Sequence, residues 1–523
     1  MLTLEQMTPE QKLGRVLCFR RTHIAEDLDF TLEMIRKEAC GCVQIHINDK
    51  TPALARRLRE AADYPLLIVN DTERGYPRSG LPLLSPITLA ACGNPAYIRL
   101  FGAAIAKAAR ADGLTGTWSP VLDIHRNPAD PLSTARHAGD TVEAVTAFGR
   151  ELLTAFASYH FGGGAKHYPG GHCAGVDTHM SEGINRITEE ELVRVDLAPY
   201  RTLWKEGLLT SIMVDHGIYP EIDPDYPASM SKKVIDLIRR EGFDGLLYTD
   251  SFAMMAILQK YGEENAMVTA LNAGNDIILP NYRTSSREVY DMMLAAYRAG
   301  RIPDARLDEA VRRVMAEEAR CAKAPENPIE VPENMAEVLD AIVRDSVTAV
   351  CREGVGAALA DPSARRLFIV LTEQNYKPGP AEEISVGKWY SPSVVIESIR
   401  ENFPNAEVVT LPEFPTANEN DITLTAATKH DEVIFVSFCN AGCYLGADCL
   451  TRRVEAVFRS LAASGKVAAH VHFGNPLALR ELPKVDRRLF GYNAAPAQKH
   501  AFRVLAGKIP AKGRFPFPTL MPQ

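Results

Sequence analysis

The sequence predicts a (β/α)8 TIM-like barrel followed by a second α/β domain with an open sheet. Eight short apolar runs alternate with amphipathic segments, ionisable residues follow several of these runs, and a proline-containing segment separates them from a second alternating stretch. From these three observations we predict a barrel over residues 1–320, a linker over 321–335 and a C-terminal α/β domain over 336–523.

The eight apolar runs are the candidate strands of the barrel. Segments between them, such as 94–113 and 230–245, are amphipathic, which indicates strand-helix alternation rather than hairpins. A barrel of eight such units takes roughly 250 residues, so the length before residue 320 suits one. The candidate strands lie at 15–19, 42–47, 66–70, 115–119, 164–167, 211–215, 246–250 and 276–280.

The second domain follows a change in composition. The stretch "CAKAPENPIEVPENMAE" (321–337) contains three prolines and several charges, which is typical of a linker. We predict a long helix over about 336–358 after it. The further predicted strands lie at 366–372, 432–438, 466–473 and 488–493, and they alternate with predicted helices at 449–464 and 495–507.

Composition excludes several classes of protein. The chain has 523 residues, 46% hydrophobic and 24% charged, which is the balance of a globular protein. A net charge of −8 argues against a nucleic-acid surface, and no apolar run is long enough to predict a membrane span. The ten cysteines show no disulfide or zinc frame, and the N-terminus does not resemble a secretory signal. We expect reduced thiols, a cytoplasmic location and no cofactor.

Ionisable residues collect where the candidate strands end. Any one of them could cap the following helix, which is a common role for Asp after a strand. In a (β/α)8 barrel, however, the carboxyl ends of all strands meet at one face, where the chemistry takes place. Their shared position therefore predicts one site. The residues are Asp71, Asp123, Lys166, His167, Asp215, His216 and Asp250.

The segment "KHYPGGHCAGVDTHMS" (166–181) contains three histidines, a cysteine and an aspartate. Asp177 and His179 are two residues apart, so in an extended loop the carboxylate can bond one ring nitrogen and leave the other for proton transfer. The alternative is a pair of loop residues that satisfies backbone groups. Asp250, at the end of "LLYTD", is in the same way either a covalent nucleophile or a helix cap.

A metal site is a further alternative for this segment. Its ligand-type side chains would be His167, His172, Cys173, Asp177 and His179. Their spacing matches no familiar zinc frame, and a glycine-rich loop would fix the ligands poorly. We therefore predict no metal.

Several motifs, taken in order, resemble those of glycoside hydrolase family 3, and more narrowly its bacterial β-N-acetylglucosaminidases. They are "WSPVLDIHRNP" (118–128), "AKHYPG" (165–170) followed by "DTH" (177–179), and "GFDGLLYTDSFAM" (242–254). The tail, 492–516, is similar to the end of the second domain of that family. The resemblance covers nearly the whole chain, and the order of several motifs makes it specific.

The resemblance implies a retaining hydrolase that releases β-linked N-acetylglucosamine from a small carbohydrate substrate. Asp250 matches the nucleophile that forms a covalent glycosyl-enzyme, and Asp177 and His179 match the dyad that serves as general acid/base. The sequence departs from the family pattern at Gly171–Cys173 and at "ARHAG" (135–139). The residues that match sugar-hydroxyl contacts, or probable further members of the sugar site, are Asp71, Asp123, Arg136, Lys166, His167 and His216.

Other functions fit the same motifs. A His acid/base repels phosphate less than a carboxylate does, so a β-N-acetylglucosaminide phosphorylase is an alternative to a hydrolase. A β-glucosidase, a β-xylosidase and a non-catalytic sugar-binding protein are further alternatives. Nothing in the sequence indicates the oligomeric state or the natural aglycone.

Overall fold

The computed structural model describes residues 2–130, 134–172, 174–372, 390–439, 450–492 and 495–520. The chain divides into two compact units. Unit 1 consists of Met1–Leu83, Pro95–Arg126 and Thr141–Met335, and unit 2 of Leu84–Asn94, Asn127–Asp140 and Ala336–Gln523.

Unit 1 contains the predicted barrel, with eight parallel strands in sequential order among its described residues. The sheet closes where Leu17, next to the first strand, forms a parallel bridge with Ile278 in the last. All eight predicted strands are confirmed. They are β1 (Cys18–Phe19), β2 (Cys42–Gln44), β3 (Leu67–Asn70), β4 (Gly116–Thr117), β5 (Gly162–Tyr168), β6 (Ser211–Val214), β7 (Leu246–Ser251) and β8 (Ile277–Leu279).

The helices of the described residues follow the strands as the amphipathic segments predict. A five-residue π-helical turn, Leu192–Asp196, lies between the seventh and the eighth. None of the helices in the described ranges is long and apolar enough to cross a bilayer. They are α1 (Pro9–Arg15), α2 (Ala25–Arg36), α3 (Thr51–Glu60), α4 (Pro86–Cys92), α5 (Pro95–Ala111), α6 (Val142–Ser158), α7 (Glu189–Glu191), α8 (Ala198–Lys205), α9 (Lys232–Arg239), α10 (Met255–Tyr261), α11 (Glu263–Ala273), α12 (Ser286–Arg298), α13 (Asp304–Cys321), α14 (Met335–Ser346), α15 (Pro392–Asn402), α16 (Ala417–Thr428), α17 (Arg452–Ala463) and α18 (Ala495–Leu505).

Large rings and glycines share the interior of the barrel. Trp118 and Tyr248 pack edge to face, with ring centroids 6.1 Å apart. β4 approaches β5 so closely that a Cβ on Gly116 would lie 2.9 Å from the carbonyl oxygen of Gly162. A larger residue at this position would force the strands apart, which explains the glycine at position 116.

Unit 2 contains a six-stranded sheet in its described part. Its strands are parallel except β9, which pairs antiparallel with β14 at one edge. The predicted open α/β sheet is thus confirmed. The strand order is β11-β10-β12-β13-β14-β9, with β9 (Thr348–Cys351), β10 (Arg366–Thr372), β11 (Glu407–Pro412), β12 (Glu432–Cys439), β13 (Val467–Gly474) and β14 (Arg487–Phe490).

Two details of the predicted second domain are wrong. The helix predicted over about 336–358 ends at Ser346, and its second half contains β9 instead. β11 was not predicted. Both missed strands lie at edges of the sheet and are largely not buried. Their sequences therefore lack the continuous apolar run that identifies the central strands.

Two short segments from the first 320 residues belong to unit 2. They are 84–94, which contains α4, and 127–140. Ile87, Ala91 and Ala135 from these segments are buried in the same hydrophobic cluster as the central strands of the unit 2 sheet. Because the burial partners of these residues are distant in sequence, local patterns do not reveal this assignment.

A fully buried ion pair connects α1 and α13 in unit 1. Arg15 Nη2 lies 2.7 Å from Glu318 Oε2, and the guanidinium stacks 4.3 Å from the ring centroid of Tyr64. Burial raises the pKa of Glu318, and the charge of Arg15 opposes that rise. The two side chains therefore depend on each other, since either alone would be an uncompensated buried group.

We predict that Arg15→Met lowers the free energy of unfolding by about 3–5 kcal/mol, because it leaves Glu318 buried without its partner. The double variant Arg15→Met/Glu318→Leu should recover most of this loss. Arg57→Met is the matched control, because its pair with Asp29 is 3.5 Å long and exposed, and it should cost about 0–1 kcal/mol. Urea unfolding curves of the full chain measure these differences. Equal losses in Arg15→Met and Arg57→Met would contradict the prediction.

Candidate active site

Asp250 lies near the carboxyl end of β7 and is partly exposed at the mouth of the barrel. Its Oδ1 accepts a hydrogen bond of 2.6 Å from the backbone N–H of Ser251. Burial acts to raise the pKa of Asp250, but the charges of His167 and His216 and the Ser251 hydrogen bond lower that pKa to about 2. The carboxylate is therefore ionised at neutral pH and able to act as a nucleophile or to stabilise a cation.

His216 follows β6 and packs against the segment that carries Asp250. Its Nε2 donates to the carbonyl oxygen of Ser251 at 3.1 Å, and its Nδ1 lies 2.7 Å from Ser229 Oγ. Burial lowers the pKa of His216, whereas the negative charge of Asp250 and the bond to the Ser251 carbonyl oppose that shift. Both ring nitrogens thus fix the orientation of the imidazole.

Arg20, one residue after β1, is a member of the site that the sequence analysis missed. Its Nη1 donates to Ser251 Oγ at 2.6 Å and to the carbonyl oxygen of Pro280 at 2.8 Å, while Nε donates to Gln44 Oε1 at 2.6 Å. The guanidinium therefore holds the residue next to Asp250 in place. The rule that site residues follow barrel strands, applied to the first candidate strand, would have identified it.

Lys166 connects two other strands at the mouth. Its side chain is buried, and its Nζ contacts Asp71 Oδ2, after β3, and lies 3.3 Å from Glu73 Oε2. The side chain of Asp71 is 44% exposed, so this carboxylate faces the solvent-accessible opening of the barrel. Lys166 and Asp71 can therefore offer a donor and an acceptor to adjacent hydroxyl groups of a ligand.

Asp123 is buried and holds His167 by two hydrogen bonds. Its Oδ2 is 2.7 Å from His167 Nδ1, and its Oδ1 accepts from the His167 backbone N–H at 3.0 Å. Burial acts to raise the pKa of Asp123, but His172 and His167 hold that pKa well below its usual range. The ionised carboxylate keeps the proton of His167 on Nδ1 and sets the orientation of the ring.

His172 lies between two buried carboxylates. Its Nε2 is 3.5 Å from Asp123 Oδ1 and 3.5 Å from Asp215 Oδ2. Burial raises the pKa of Asp215 to about 7, although the charge of His172 opposes the shift. The sequence analysis considered His172 only as a zinc ligand. The turn at Gly170 and Gly171, with φ of 80° and 71°, brings it into the barrel.

Among the described residues, Asp123, His167 and His172 are the group that could hold a metal ion, because their ligand atoms lie within 4.8 Å of one another. The 2.7 Å between Asp123 Oδ2 and His167 Nδ1 is a hydrogen-bond length, shorter than the roughly 3.3 Å between two ligands of a tetrahedral zinc ion. Cys173, a member of the alternative metal set, lies outside the described residues.

Asp177 and His179 form a hydrogen-bonded pair in the loop after β5. Asp177 is buried, and its Oδ1 accepts from the backbone N–H and from Nδ1 of His179, both at 3.0 Å. The side chain of His179 is 23% exposed. The carbonyl oxygen of His179 accepts from the N–H of Met255, at the start of α10. This bond connects the loop to the segment that follows Asp250.

Eight of the nine residues proposed from the sequence lie in unit 1, on strands or on the loops that follow them. The ninth, Arg136, lies in unit 2, in the 3-10 turn Thr134–Arg136. Its role in sugar binding stays a prediction.

Comparison with known proteins places the chain among glycoside hydrolases. The family model described as "Glycosyl hydrolase family 3 N terminal domain" matches residues 31–316. The "Beta-N-acetylglucosaminidase/beta-glucosidase" of Cellulomonas fimi is 29% identical over 331 residues, which are 60% of this chain and 58% of that protein. The "Beta-hexosaminidase LpqI" of Mycobacterium tuberculosis is 31% identical over 209 residues, 39% of this chain and 53% of that protein. The matches thus cover just over half of the length of these two relatives.

Solved structures resemble the whole chain. A glycoside hydrolase family 3 β-N-acetylglucosaminidase from Paenibacillus sp. str. FPU-7 superposes with a TM-score of 0.82 at 25% identity, covering 99% of this chain and 100% of that one. A "Beta-glucoside phosphorylase BglX" superposes with a TM-score of 0.81 at 20% identity, covering 98% of this chain and 94% of that one. The second likeness shows the fold alone.

We predict that Asp215 makes stability depend on pH. Its pKa is raised to about 7 in the folded protein, so the folded state binds a proton that the unfolded state has lost. The contribution of Asp215 to the free energy of unfolding therefore falls as the pH rises from about 4 to about 7, by up to about 4 kcal/mol. Asp215→Asn should lack this fall.

Thermal unfolding between pH 4 and 8 measures the difference between the variant and the wild type. Asp225→Asn, an exposed residue of the same loop, is the matched control and should follow the wild-type curve. A constant difference between Asp215→Asn and wild type at every pH would show that Asp215 does not titrate in this range.

Proposed function

Because the chain belongs to glycoside hydrolase family 3, we propose that it is a retaining glycosidase that releases β-linked N-acetylglucosamine. The arrangement that carries this proposal is an ionised, partly exposed Asp250 on a rigid strand end, together with the Asp177–His179 pair on a loop bonded to the segment after Asp250. The similarity to the Cellulomonas, Mycobacterium and Paenibacillus proteins, which are named as β-N-acetylglucosaminidases or a β-hexosaminidase, supports the choice of sugar.

In the first step, a carboxylate oxygen of Asp250 forms a bond to the anomeric carbon while the bond from that carbon to the leaving oxygen breaks. Asp177 engages Nδ1 of His179, so the proton for the leaving oxygen comes from Nε2. The low pKa of Asp250 keeps the nucleophile ionised at neutral pH and makes it a good leaving group later.

In the second step, water attacks the anomeric carbon of the covalent glycosyl-enzyme. The neutral His179 accepts the proton of this water at Nε2, and the bond between the sugar and Asp250 breaks. The enzyme returns to its initial protonation state. A His donor with a reference pKa near 6.5 can perform both transfers near neutral pH without a large shift.

The sugar site proposed around this centre uses the polar groups at the other strand ends. Lys166 and Asp71 can bind neighbouring hydroxyl groups, and His167, oriented by Asp123, can bind a third. His216 and Arg20 both bond Ser251, the residue after Asp250, so we assign them a positioning role beside the electrostatic effect of His216 on Asp250. The sugar would then be fixed over Asp250 by groups on several strands.

Phosphorolysis is the second candidate function. The proposed acid/base is the imidazole of His179, which is bonded to a buried carboxylate. An imidazole in this setting repels an incoming phosphate less than an exposed glutamate would.

Incubation with aryl β-glycosides of N-acetylglucosamine, glucose and xylose, each with and without phosphate, tests both candidates. Free N-acetylglucosamine in both conditions supports the hydrolase, whereas a sugar 1-phosphate supports the phosphorylase. Preference for glucose or xylose would correct the proposed specificity.

Asp250→Asn should fold normally and lose most turnover, by a factor of about 10³ or more, because its carboxylate acts in the transition state and the intermediate. A slow 2-fluoro or 5-fluoro sugar substrate should label the wild type, and mass spectrometry of the peptides should place the adduct on Asp250. Asp225→Asn is the control for removing an acid near the mouth. An adduct on another residue would refute the assignment.

His179→Ala should slow substrates with poor leaving groups severely and spare those with very acidic leaving groups, since the latter need little proton donation. Asp177→Ala should show the same pattern more weakly, because Asp177 acts through the ring of His179. His160→Ala, after α6 at the opposite end of the barrel, is the control. The measurement is kcat/KM against the pKa of the leaving group, with and without a chelator. A slope equal to wild type in His179→Ala would exclude His179 as the acid, and loss of activity with chelator would support the metal alternative.

A further inference from the structure

Exposed hydrophobic side chains are concentrated at the mouth of the barrel. Among the described residues of unit 1, five large hydrophobic side chains are exposed, and all five lie on loops that follow the carboxyl ends of strands. Three follow β5, one follows β6 and one follows β8. They are Val176, Met180, Ile184, Tyr226 and Tyr282. Single exposed apolar side chains are common, but several on neighbouring loops at one end of a barrel are a candidate binding surface.

Three of these side chains, Met180, Ile184 and Tyr226, lie on two loops that contact each other, and we call this set the apolar ledge. Their exposed fractions are 50%, 44% and 40%. Ile184 forms a parallel bridge with Ile218 in the loop that carries Tyr226, and Tyr226 stacks on Tyr261 of α10 with ring centroids 6.2 Å apart.

The other side of the ledge is held by α10. Lys260 Nζ lies 5.3 Å from the ring centroid of Tyr261 and 2.7 Å from Oε1 of Glu182, which is two residues from both Met180 and Ile184. The ledge is therefore fixed to the same helix whose first N–H bonds the carbonyl oxygen of His179. These contacts hold the two loops that carry the three side chains.

The proposed reaction indicates which part of the substrate would contact the ledge. His179 must reach the leaving oxygen to protonate it, and the aglycone is attached to that oxygen. Met180 is the next residue in the chain, on the same loop. An aglycone that extends away from Asp250 past His179 therefore meets the loop that carries the ledge. This step rests on the proposed function.

The charges near the ledge favour a neutral aglycone. Glu182 and Lys260 form an ion pair, so each compensates the other. Asp225, beside Tyr226, and Arg186, two residues after Ile184, are both exposed and opposite in sign, so together they favour neither an anionic nor a cationic group. What the ledge offers is an aromatic ring and two aliphatic side chains, whose burial is favourable only against another apolar surface.

We propose that the apolar ledge is an aglycone-binding site and that the substrates carry a neutral, apolar aglycone, such as an alkyl, isoprenoid or aryl group, linked to N-acetylglucosamine. Contact with the ledge adds binding energy on the leaving-group side of the bond to be cleaved. It should therefore raise kcat/KM for substrates with a long apolar aglycone and leave those with a minimal aglycone unaffected.

Hexyl and methyl β-N-acetylglucosaminides test this proposal, because their leaving alcohols have similar acidity and differ in apolar length. The wild type should favour the hexyl glycoside by about tenfold or more in kcat/KM, since each buried methylene contributes roughly fourfold at most. Met180→Ser and Tyr226→Ser should each reduce this preference about threefold or more and change the methyl glycoside by less than twofold. Ile422→Ser, an equally exposed apolar residue of α16 in unit 2, is the matched control and should keep the wild-type preference.

Three outcomes would overturn the proposal. Equal kcat/KM for the two glycosides in the wild type, or a preference that survives both ledge variants, would show that the ledge does not bind the aglycone. Sedimentation that detects an oligomer lost in Tyr226→Ser, with an unchanged preference, would identify the ledge as a contact between copies of the chain. If the wild type cleaves neither these glycosides nor the aryl glycoside, the proposed function fails instead.

Discussion

A carboxylate that stays ionised while protein surrounds it is the constraint on which the site depends. Burial alone raises the pKa of Asp250, yet that pKa is about 2, because imidazole rings and a backbone N–H face the carboxylate. Each ring is fixed in turn, His167 by Asp123 and His216 by Ser229 and the Ser251 carbonyl. These polar groups at the barrel mouth thus surround the negative charge of Asp250 and hold one another in place.

The same requirement explains why buried carboxylates follow several other strands. Asp123 compensates His167 and His172, so cationic character can be placed near Asp250 without leaving unpaired charge inside the barrel. Asp215 also faces His172, but it is the less compensated of the two acids, and its pKa is raised to about 7. Compensation among these groups is therefore uneven, and Asp215 is the acid whose contribution to stability falls between about pH 4 and about pH 7, where the unfolded chain loses a proton that the folded protein keeps.

Sequence patterns predicted the elements that depend on the local order of residues, and they missed the features that depend on partners distant in the sequence. All eight barrel strands were predicted, because most of them are short runs of apolar residues that are buried within the barrel. The edge strands β9 and β11 were missed, since their side chains are largely not buried. The membership of 84–94 and 127–140 in unit 2 was missed because Ile87 and Ala135 are buried against residues more than 200 positions away.

The residues of the candidate site were likewise predicted where local sequence suffices and missed where distant partners decide. The rule that chemistry follows barrel strands selected Asp71, Asp123, Lys166, His216 and Asp250, all of which lie at the ends of strands or just beyond them. Arg20 was missed because the rule was not applied to the first strand, and because its partners Gln44, Ser251 and Pro280 come from three other parts of the chain. The place of His172 between Asp123 and Asp215 depends on the turn at Gly170 and Gly171 and on strands β4 and β6 meeting at one face.

The loop after β5 carries both the proposed proton donor and part of the proposed aglycone surface. It contains the Asp177–His179 pair, and it contributes Met180 and Ile184 to the apolar ledge. Its contacts to α10 and to the loop after β6 involve residues 179 and 182–185, on one side of the pair. A shift of this loop would move the proposed proton donor and the proposed aglycone surface together. Recognition of the leaving group and its protonation, as proposed, would therefore involve neighbouring residues of one loop.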